Sequence, residues 1–363
     1  MTNGLQLIGP TTPFEVIVIG AGQAGLAIAW HLRRQGRRFL VLDASPEIGH
    51  VWRSRWDSLQ LFTPAEYDSL PGLPFPSEAG TYPTKDDVAE YLASYVAAFD
   101  LPVQLNSPVT ELARAGDHFE VRTTQRSYFA HQVVVATGPF QTAFVPEMAG
   151  GLDGSVHQLH SSQYRNPAEL PAGPVLVVGA GNSGLQIAEE LSASRRVDVA
   201  VGSRPRTLPR RVLGRNLFWW LIRFGLLTKP AESALARRFR SGGDLVIGTR
   251  RRALKKVRFR SRLVAASEGA VRFTDQSTLD VRVVIWATGY RRDYSWITVP
   301  DVVSDGRILH ERGVSPIPGI YVLGLPWLHT RGSALLGFVD ADAQHLAHRI
   351  ASTERARAGS AAS

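Results

Sequence analysis

Two short apolar runs, each closed by the same glycine pattern, divide the chain. Phe14-Glu15-Val16-Ile17-Val18-Ile19 and Pro174-Val175-Leu176-Val177-Val178 are nearly continuous in apolar residues and rich in β-branched ones. Runs of this length and composition fit strands buried on both faces of a parallel sheet. After each run the period changes. From Gln23 to Arg34, Ala24, Leu26, Ala27, Ala29, Trp30 and Leu32 crowd most faces of a helix, which Gly36 ends, and Ser183–Ala193 reads as its counterpart. Strands return at Arg38–Leu42 and Val197–Val201. Strand, helix and strand in succession, twice, predict two βαβ units and an α/β fold.

Between and beyond these units the pattern predicts a helix from Thr84, a plausible N-cap with Asp86 and Asp87 in its first turn, to about Phe99. Short strands follow at Val103–Leu105, Val109–Arg114, His118–Thr124 and Gln132–Ala136. The last runs into Ala136-Thr137-Gly138-Pro139, and a later strand, Val281–Trp286, runs into Ala287-Thr288-Gly289-Tyr290. That repetition suggests two crossings between lobes, one outward and one back. Ile320–Leu323, with Gly324 after it, is then expected to rejoin the first sheet, and Ala334–Ile350 to form the final helix. Arg355–Ser363 carries no packing pattern and is read as disordered.

The glycines carry the chemistry. Gly20-Ala21-Gly22-Gln23-Ala24-Gly25 and Gly179-Ala180-Gly181-Asn182-Ser183-Gly184 each join a strand to a helix. In such a turn the first glycine permits the tight bend, the second admits a pyrophosphate, and the third lets helix and strand pack closely. The phosphates would lie at the helix N-terminus, where free N–H groups and the dipole point. Asp43, at the end of the next strand, stands where a ribose hydroxyl would be held. At the corresponding place in the second unit come Ser203, Arg204 and Arg206, which would suit an adenosine 2′-phosphate and so favour NADPH over NADH. Two dinucleotide sites in one chain imply a resident flavin dinucleotide, FAD, and a visiting nicotinamide one. The expected architecture is therefore two Rossmann-like dinucleotide-binding domains, with an NADPH domain (169–285) inserted into a discontinuous FAD domain (1–168 and 286–363).

Composition narrows this further. The 363 residues include no cysteine, which removes the redox-active thiol pair that flavoprotein disulfide reductases need, and thiolate metal sites with it. No apolar run approaches the roughly 20 residues that span a bilayer, and the N-terminus lacks an export-signal pattern, so a cytoplasmic protein is expected. The formal net charge is +9, yet only four of the 41 basic residues are lysine and the arginines are scattered. We read this as a habit of composition rather than a nucleic-acid surface.

Two segments remain open on the residues alone. Gly49 to Pro64, with Trp52, Arg53, Arg55 and Trp56, offers flat apolar faces and charged forks together. It reads as a wall beside a flavin ring or as a connection that merely packs. Leu217 to Leu227, flanked by Arg210, Arg211 and Arg215, reads as a helix packed between lobes in preference to a cavity cap or a membrane-docking helix.

Taken together, the two fingerprints, His160-Ser161-Ser162-Gln163-Tyr164-Arg165 and Ala287-Thr288-Gly289-Tyr290 resemble class B flavin-dependent monooxygenases. These comprise flavin-containing and Baeyer–Villiger monooxygenases, and the likeness is nearest to short bacterial flavoproteins of the CzcO type. It extends from Phe14 to Ile350. The family signature Phe-x-Gly-x-x-x-His-x-x-x-Tyr is kept at His160 and Tyr164 and altered before them, where two extra residues separate Gly154 from His160. An asparagine often found near the flavin in that family has no counterpart in Leu59–Pro64.

The resemblance implies an NADPH- and O₂-consuming monooxygenase that inserts one oxygen atom into a small organic substrate through a C4a-(hydro)peroxyflavin. The oxidised centre would be a sulfide, an amine or a ketone, with NADP⁺ retained during the reaction. It also implies roles for individual residues. Gly20, Gly22, Gln23, Ala24, Gly25, Asp43, Trp52, Arg53, Thr137, Gly138 and Gly324 would hold FAD. Gly179, Gly181, Asn182, Ser183, Gly184, Ser203, Arg204, Arg206, Thr288 and Gly289 would serve NADPH. Trp52, His160 and Tyr164 are the candidate catalytic group, the last two at the hinge between lobes unless His160 is a satisfied structural histidine. The alternative is an NADPH-dependent flavin reductase or oxidase that transfers no oxygen.

Overall fold

The computed structural model describes residues 12–203, 205–234, 236–237, 245–249 and 254–361, with side chains to residue 354. Two sheets organise them, the first mixed and the second parallel. In the first, strands β1 (Phe14–Ile19), β2 (Phe39–Leu42), β3 (Val103–Gln104), β4 (Val109–Ala115), β5 (His118–Thr123) and β6 (Ser127–Val135) lie in the order β3-β2-β1-β6-β5-β4. Strand β6 serves two partners on one edge in succession. Its first half pairs antiparallel with β5, and its last residues, Val133–Val135, pair parallel with strand Ile320–Val322. The burial follows: Ser127–Ala130 alternates, whereas Gln132–Val135 is buried throughout. Alternation is what a one-sided antiparallel strand requires, and continuous burial is what a strand covered on both faces requires.

Helix α1 (Gln23–Arg34) buries seven residues against this sheet, and the C-terminal helix, Asp340–Ala361, runs beside it. His31 Nε2 meets Asp340 Oδ1 at 2.7 Å between the two. Helical backbone thus continues through 355–361, where the sequence suggested disorder, because the helix is already nucleated by packing upstream. Helix α2 is a single turn, His50–Arg53, and α3 spans Lys85–Ala98. The expected cap of α3 forms as a box: Asp87 N–H donates to Thr84 Oγ1 at 3.2 Å, and Thr84 N–H donates to Asp87 Oδ2 at 2.8 Å.

The second sheet contains β8 (His157–His160), β9 (Val175–Val178) and β10 (Val197–Ala200), joined by strands Arg258–Arg260 and Val283–Trp286. The order is 258–260, β10, β9, 283–286, β8, parallel throughout. Strand β8 therefore lies in this sheet, upstream of the boundary at 168/169 drawn from sequence. Helix α4 (Asn182–Leu191) covers one face through Leu185, Ile187 and Leu191. On the other face an antiparallel meander, Leu263–Ser267, Ala270–Phe273 and Thr278–Asp280, packs Val271 and Phe273 against Leu176, Val284 and Trp286. Asp198, buried in the middle of β10, is compensated by Arg260 Nε at 2.7 Å, which ties the outer strand in place.

Two crossings connect the sheets. The segment after β6 forms β7 (Thr142–Ala143), which pairs antiparallel with Tyr290–Arg291 after the return crossing. One strand of chain leaves as the other comes back.

Candidate active site

Both glycine turns have the same construction. Gly20 and Gly179 adopt φ of +109° and +111°, open to glycine and strained for other residues. A Cβ on Gly20 would lie 2.6 Å from the Ala136 carbonyl oxygen, and one on Gly179 would lie 2.3 Å from that of Ala287. Each turn is thus pressed against the strand exit that begins a crossing. Gly25 and Gly184 close the other side, where a Cβ would meet the carbonyl oxygens of Gly20 and Gly179 at 1.8 and 2.1 Å. Gly22 and Gly181, in contrast, face open space, with no atom within 4 Å of the place a methyl group would take. The unfilled place in each turn is the place a pyrophosphate would occupy, so the residues present fit a dinucleotide at both.

A single cavity of about 820 Å³ reaches both turns, lined by Gly22 and Ala24 on one side and by Gly181 and Ser183 on the other. Gln23, Asp43, Trp52, Thr137, Gly138, Asn182, Gly184, Gly289 and Gly324 also line it. Asp43 grips the first turn: Oδ2 accepts Ala21 N–H at 2.6 Å, and Oδ1 accepts Ser45 N–H at 2.8 Å. Gly324, at φ +78°, approaches α1 so closely that a Cβ would sit 2.5 Å from Ala24 Cβ. Trp52 packs against the cores of both sheets, and Trp56, from the same loop, belongs to the core of the second. The loop therefore lines the cavity and also packs as a connection.

Several of the residues singled out from sequence lie outside the cavity lining. His160 and Tyr164 do not line the cavity. The His160 ring is buried, with Nε2 3.0 Å from the Gly289 carbonyl oxygen and Nδ1 facing Ser162 N–H at 3.1 Å. A carbonyl only accepts, so Nε2 is assigned the proton and Nδ1 the acceptor role. Burial lowers the histidine's pKa, the Gly289 contact opposes this, and the Arg55 charge lowers it further. Tyr164 is buried in the second core, its hydroxyl donating to Glu190 at 2.7 Å, and burial foremost pushes its pKa up. His160 clips the return crossing and Tyr164 clips α4.

Arg53 is not among the residues that line the cavity; its Nε lies 3.4 Å from the carboxylate of Glu47, which does. The Thr288 hydroxyl donates to the Phe144 carbonyl between the two crossings. Gly25 and Gly179 act behind the turns. Ser203 is exposed away from the cavity, and Arg206 is exposed on a short strand, Arg206–Leu208, that pairs with Leu245–Ile247. Arg204 lies outside the described residues.

The cavity also holds residues not singled out from sequence. The Arg55 guanidinium lies 5.5 Å from the ring centres of both Phe140 and Tyr290 and donates to the Tyr290 hydroxyl. An apolar wall is made by Phe62, stacked on Phe218 at 6.1 Å, with Leu221 and Leu227 beyond. Next to it Thr63 lines the cavity and donates its hydroxyl to Asp68 Oδ1 at 2.5 Å. Asp68 is fully buried and its Oδ2 has no hydrogen-bond partner. Burial pushes its carboxyl up to about 7, with Thr63 opposing and Glu66 adding to the rise.

Comparison with known proteins agrees with this geometry. Residues 17–211 match the family described as pyridine nucleotide-disulphide oxidoreductase. A CzcO-like oxidoreductase from Geobacillus kaustophilus is 43% identical over 93% of this chain and 98% of its own length. A probable indole-3-pyruvate monooxygenase of Arabidopsis thaliana, YUCCA7, is 30% identical over 93% of this chain and 87% of its own. The solved flavin-containing monooxygenase from Stenotrophomonas maltophilia superimposes with a TM-score of 0.78 at 28% identity, over 94% of this chain and 99% of that one. The chain therefore belongs to the pyridine nucleotide-disulphide oxidoreductase family, as an NADPH-dependent flavoprotein of the class B flavin-monooxygenase group.

Proposed function

We propose that the protein oxygenates a small apolar substrate at a sulfur, a nitrogen or a ketone carbon, consuming NADPH and O₂. The observation that supports this reading is the single cavity connecting the two glycine turns, because a hydride donor and an acceptor must share one enclosed space. FAD, when bound, supplies the hydride acceptance and the oxygen activation. Its pyrophosphate is assigned to Gly20, Gly22 and Gly25, its ribose to Asp43, and its ring to the neighbourhood of Trp52. NADPH is assigned to Gly179, Gly181, Asn182, Ser183 and Gly184, in a lobe running from the strand at His157 to Trp286. The rest of the chain forms the FAD lobe. The protein's own work is placement and dryness: Trp52 and Trp56 cover one side, and the Phe62–Phe218 stack excludes water from the other. With no cysteine in the chain, electrons have no thiol route onward.

The test is stoichiometric. Purified enzyme is given NADPH, ¹⁸O₂ and a panel of sulfides, amines and ketones, and labelled product and hydrogen peroxide are both measured. Labelled product in proportion to NADPH consumed supports oxygen transfer. Peroxide alone across the panel returns the alternative, a reductase or oxidase, which the absence of asparagine in Leu59–Pro64 would then explain.

The 2′-phosphate assignment has its own prediction. Arg204→Ala and Arg206→Ala are expected to raise the KM for NADPH about tenfold each, the scale of one charge-assisted contact, and to leave the KM for NADH unchanged. Equal KM shifts for both nucleotides would remove these residues from that role.

A further inference from the structure

The two faces of helix α5 (Leu217–Arg223) have different surroundings. Inward, Leu217, Phe218 and Leu221 are buried, and Phe218 and Leu221 form cavity wall. Outward, Trp220 stacks on Phe224 at 5.9 Å, and Phe224 is 60% exposed. Beside them a small hairpin, Arg211–Val212 and Arg215–Asn216, carries Leu213 at its tip, 85% exposed.

That leucine is out of place on two counts. Its φ is +48°, followed by Gly214 at +76°, the pairing of a tight hairpin turn whose first position normally takes asparagine, aspartate or glycine. A branched apolar side chain there is strained, and its exposure leaves little burial to offset the strain. The segment around it is basic. From Arg206 to Pro230 the sequence has five arginines and a lysine and neither aspartate nor glutamate. Arg211, Arg215, Arg223 and Lys229 are exposed, with Arg215 4.7 Å over the Trp219 ring. The neighbouring acid, Glu66, is already engaged by Asn216 Nδ2 at 3.0 Å and Gly80 N–H at 2.7 Å.

We infer that this knob docks the protein on an anionic phospholipid surface, with Leu213 and Phe224 in the headgroup layer and the surrounding cations at the phosphates. Isolated apolar protrusions flanked by exposed cations suit a bilayer interface, where burial and attraction to anionic lipid add together. Among the described residues no helix is long and apolar enough to cross a membrane, so the docking is superficial. The inner face of the same helix is cavity wall, so docking would turn the cavity toward a reservoir of apolar molecules. That last step rests on the proposed function; the docking itself does not.

The experiment is flotation of the full chain with vesicles of phosphatidylcholine alone and of phosphatidylcholine mixed with phosphatidylglycerol, at low and moderate salt. The parent should float with the anionic vesicles. Leu213→Asp with Phe224→Asp should reduce the vesicle-bound fraction about tenfold, as should Arg211→Glu with Arg215→Glu, both with NADPH oxidation in vesicle-free buffer unchanged. Absence of flotation by the parent overturns the inference. So does a Leu213/Phe224 variant that floats like the parent, because adsorption would then be a matter of the net +9 charge alone. A parent dimer that this variant dissociates in gel filtration, without vesicle binding, would assign the knob to a second copy instead.

Discussion

Gly22→Ala should give a folded, colourless protein. At φ −76° the position tolerates a side chain, and no atom lies within 4 Å of the added methyl, so thermal unfolding of the cofactor-free protein should move by no more than a degree or two. The methyl would occupy the space through which the backbone approaches a pyrophosphate, so FAD affinity should fall by about 100-fold or more. Gly25→Ala is the control with the opposite signature. Its Cβ would lie 1.8 Å from a backbone oxygen that cannot move without opening the turn, at a cost of at least about 3 kcal/mol. The flavin absorbance of the purified protein and a melting curve separate the two. A Gly22→Ala protein that keeps stoichiometric flavin would remove the phosphate from this turn.

The second large effect concerns Asp68. Asp68→Asn should stabilise the protein at pH 8 by roughly 2–4 kcal/mol, a gain that shrinks as the pH falls toward 4. The sign follows from the direction of the shift. Below the ordinary carboxyl pKa of 3.8 both folded and unfolded chains hold the proton, and the buried group is neutral at no electrostatic cost. As pH rises from there to about 7, the unfolded chain releases the proton while the folded one keeps it, so stability declines. The groups facing Asp68 are Thr63, which donates to it, and Glu66 and Tyr91, whose negative or neutral oxygens give no relief. Asparagine keeps an acceptor for Thr63 and cannot ionise. Denaturant unfolding of both proteins from pH 4 to 8 tests this, and a gap independent of pH would show that Asp68 titrates alike in the folded and unfolded chains.

The reading from sequence succeeded where structure is written locally. The glycine turns, the strands feeding them and the Thr84 cap each depend on residues a few positions apart, and all are present at those positions. It missed β8 and strand Arg258–Arg260, because polar strands show no apolar run and hold their place through partners distant in sequence, Trp286 for His160 and Asp198 for Arg260. Asp68 was hidden in a proline-rich stretch that offers no periodicity, and only the fold reveals that it is buried. His160 and Tyr164 show the converse limit. The motif containing them was legible, but a motif does not state which way a side chain faces, and both turn into protein contacts at the return crossing and α4.

The pressing of each glycine turn against a crossing has a mechanical consequence. The Ala136 carbonyl that floors the first turn and the Ala287 carbonyl that floors the second are the last fixed points before the chain leaves its lobe. The two crossings pair at 142–143 and 290–291, a few residues beyond the carbonyls that shape the two glycine turns. Filling either turn is therefore expected to stiffen the crossing beside it, and by reciprocity the set of the crossings is expected to bear on how tightly each nucleotide is gripped.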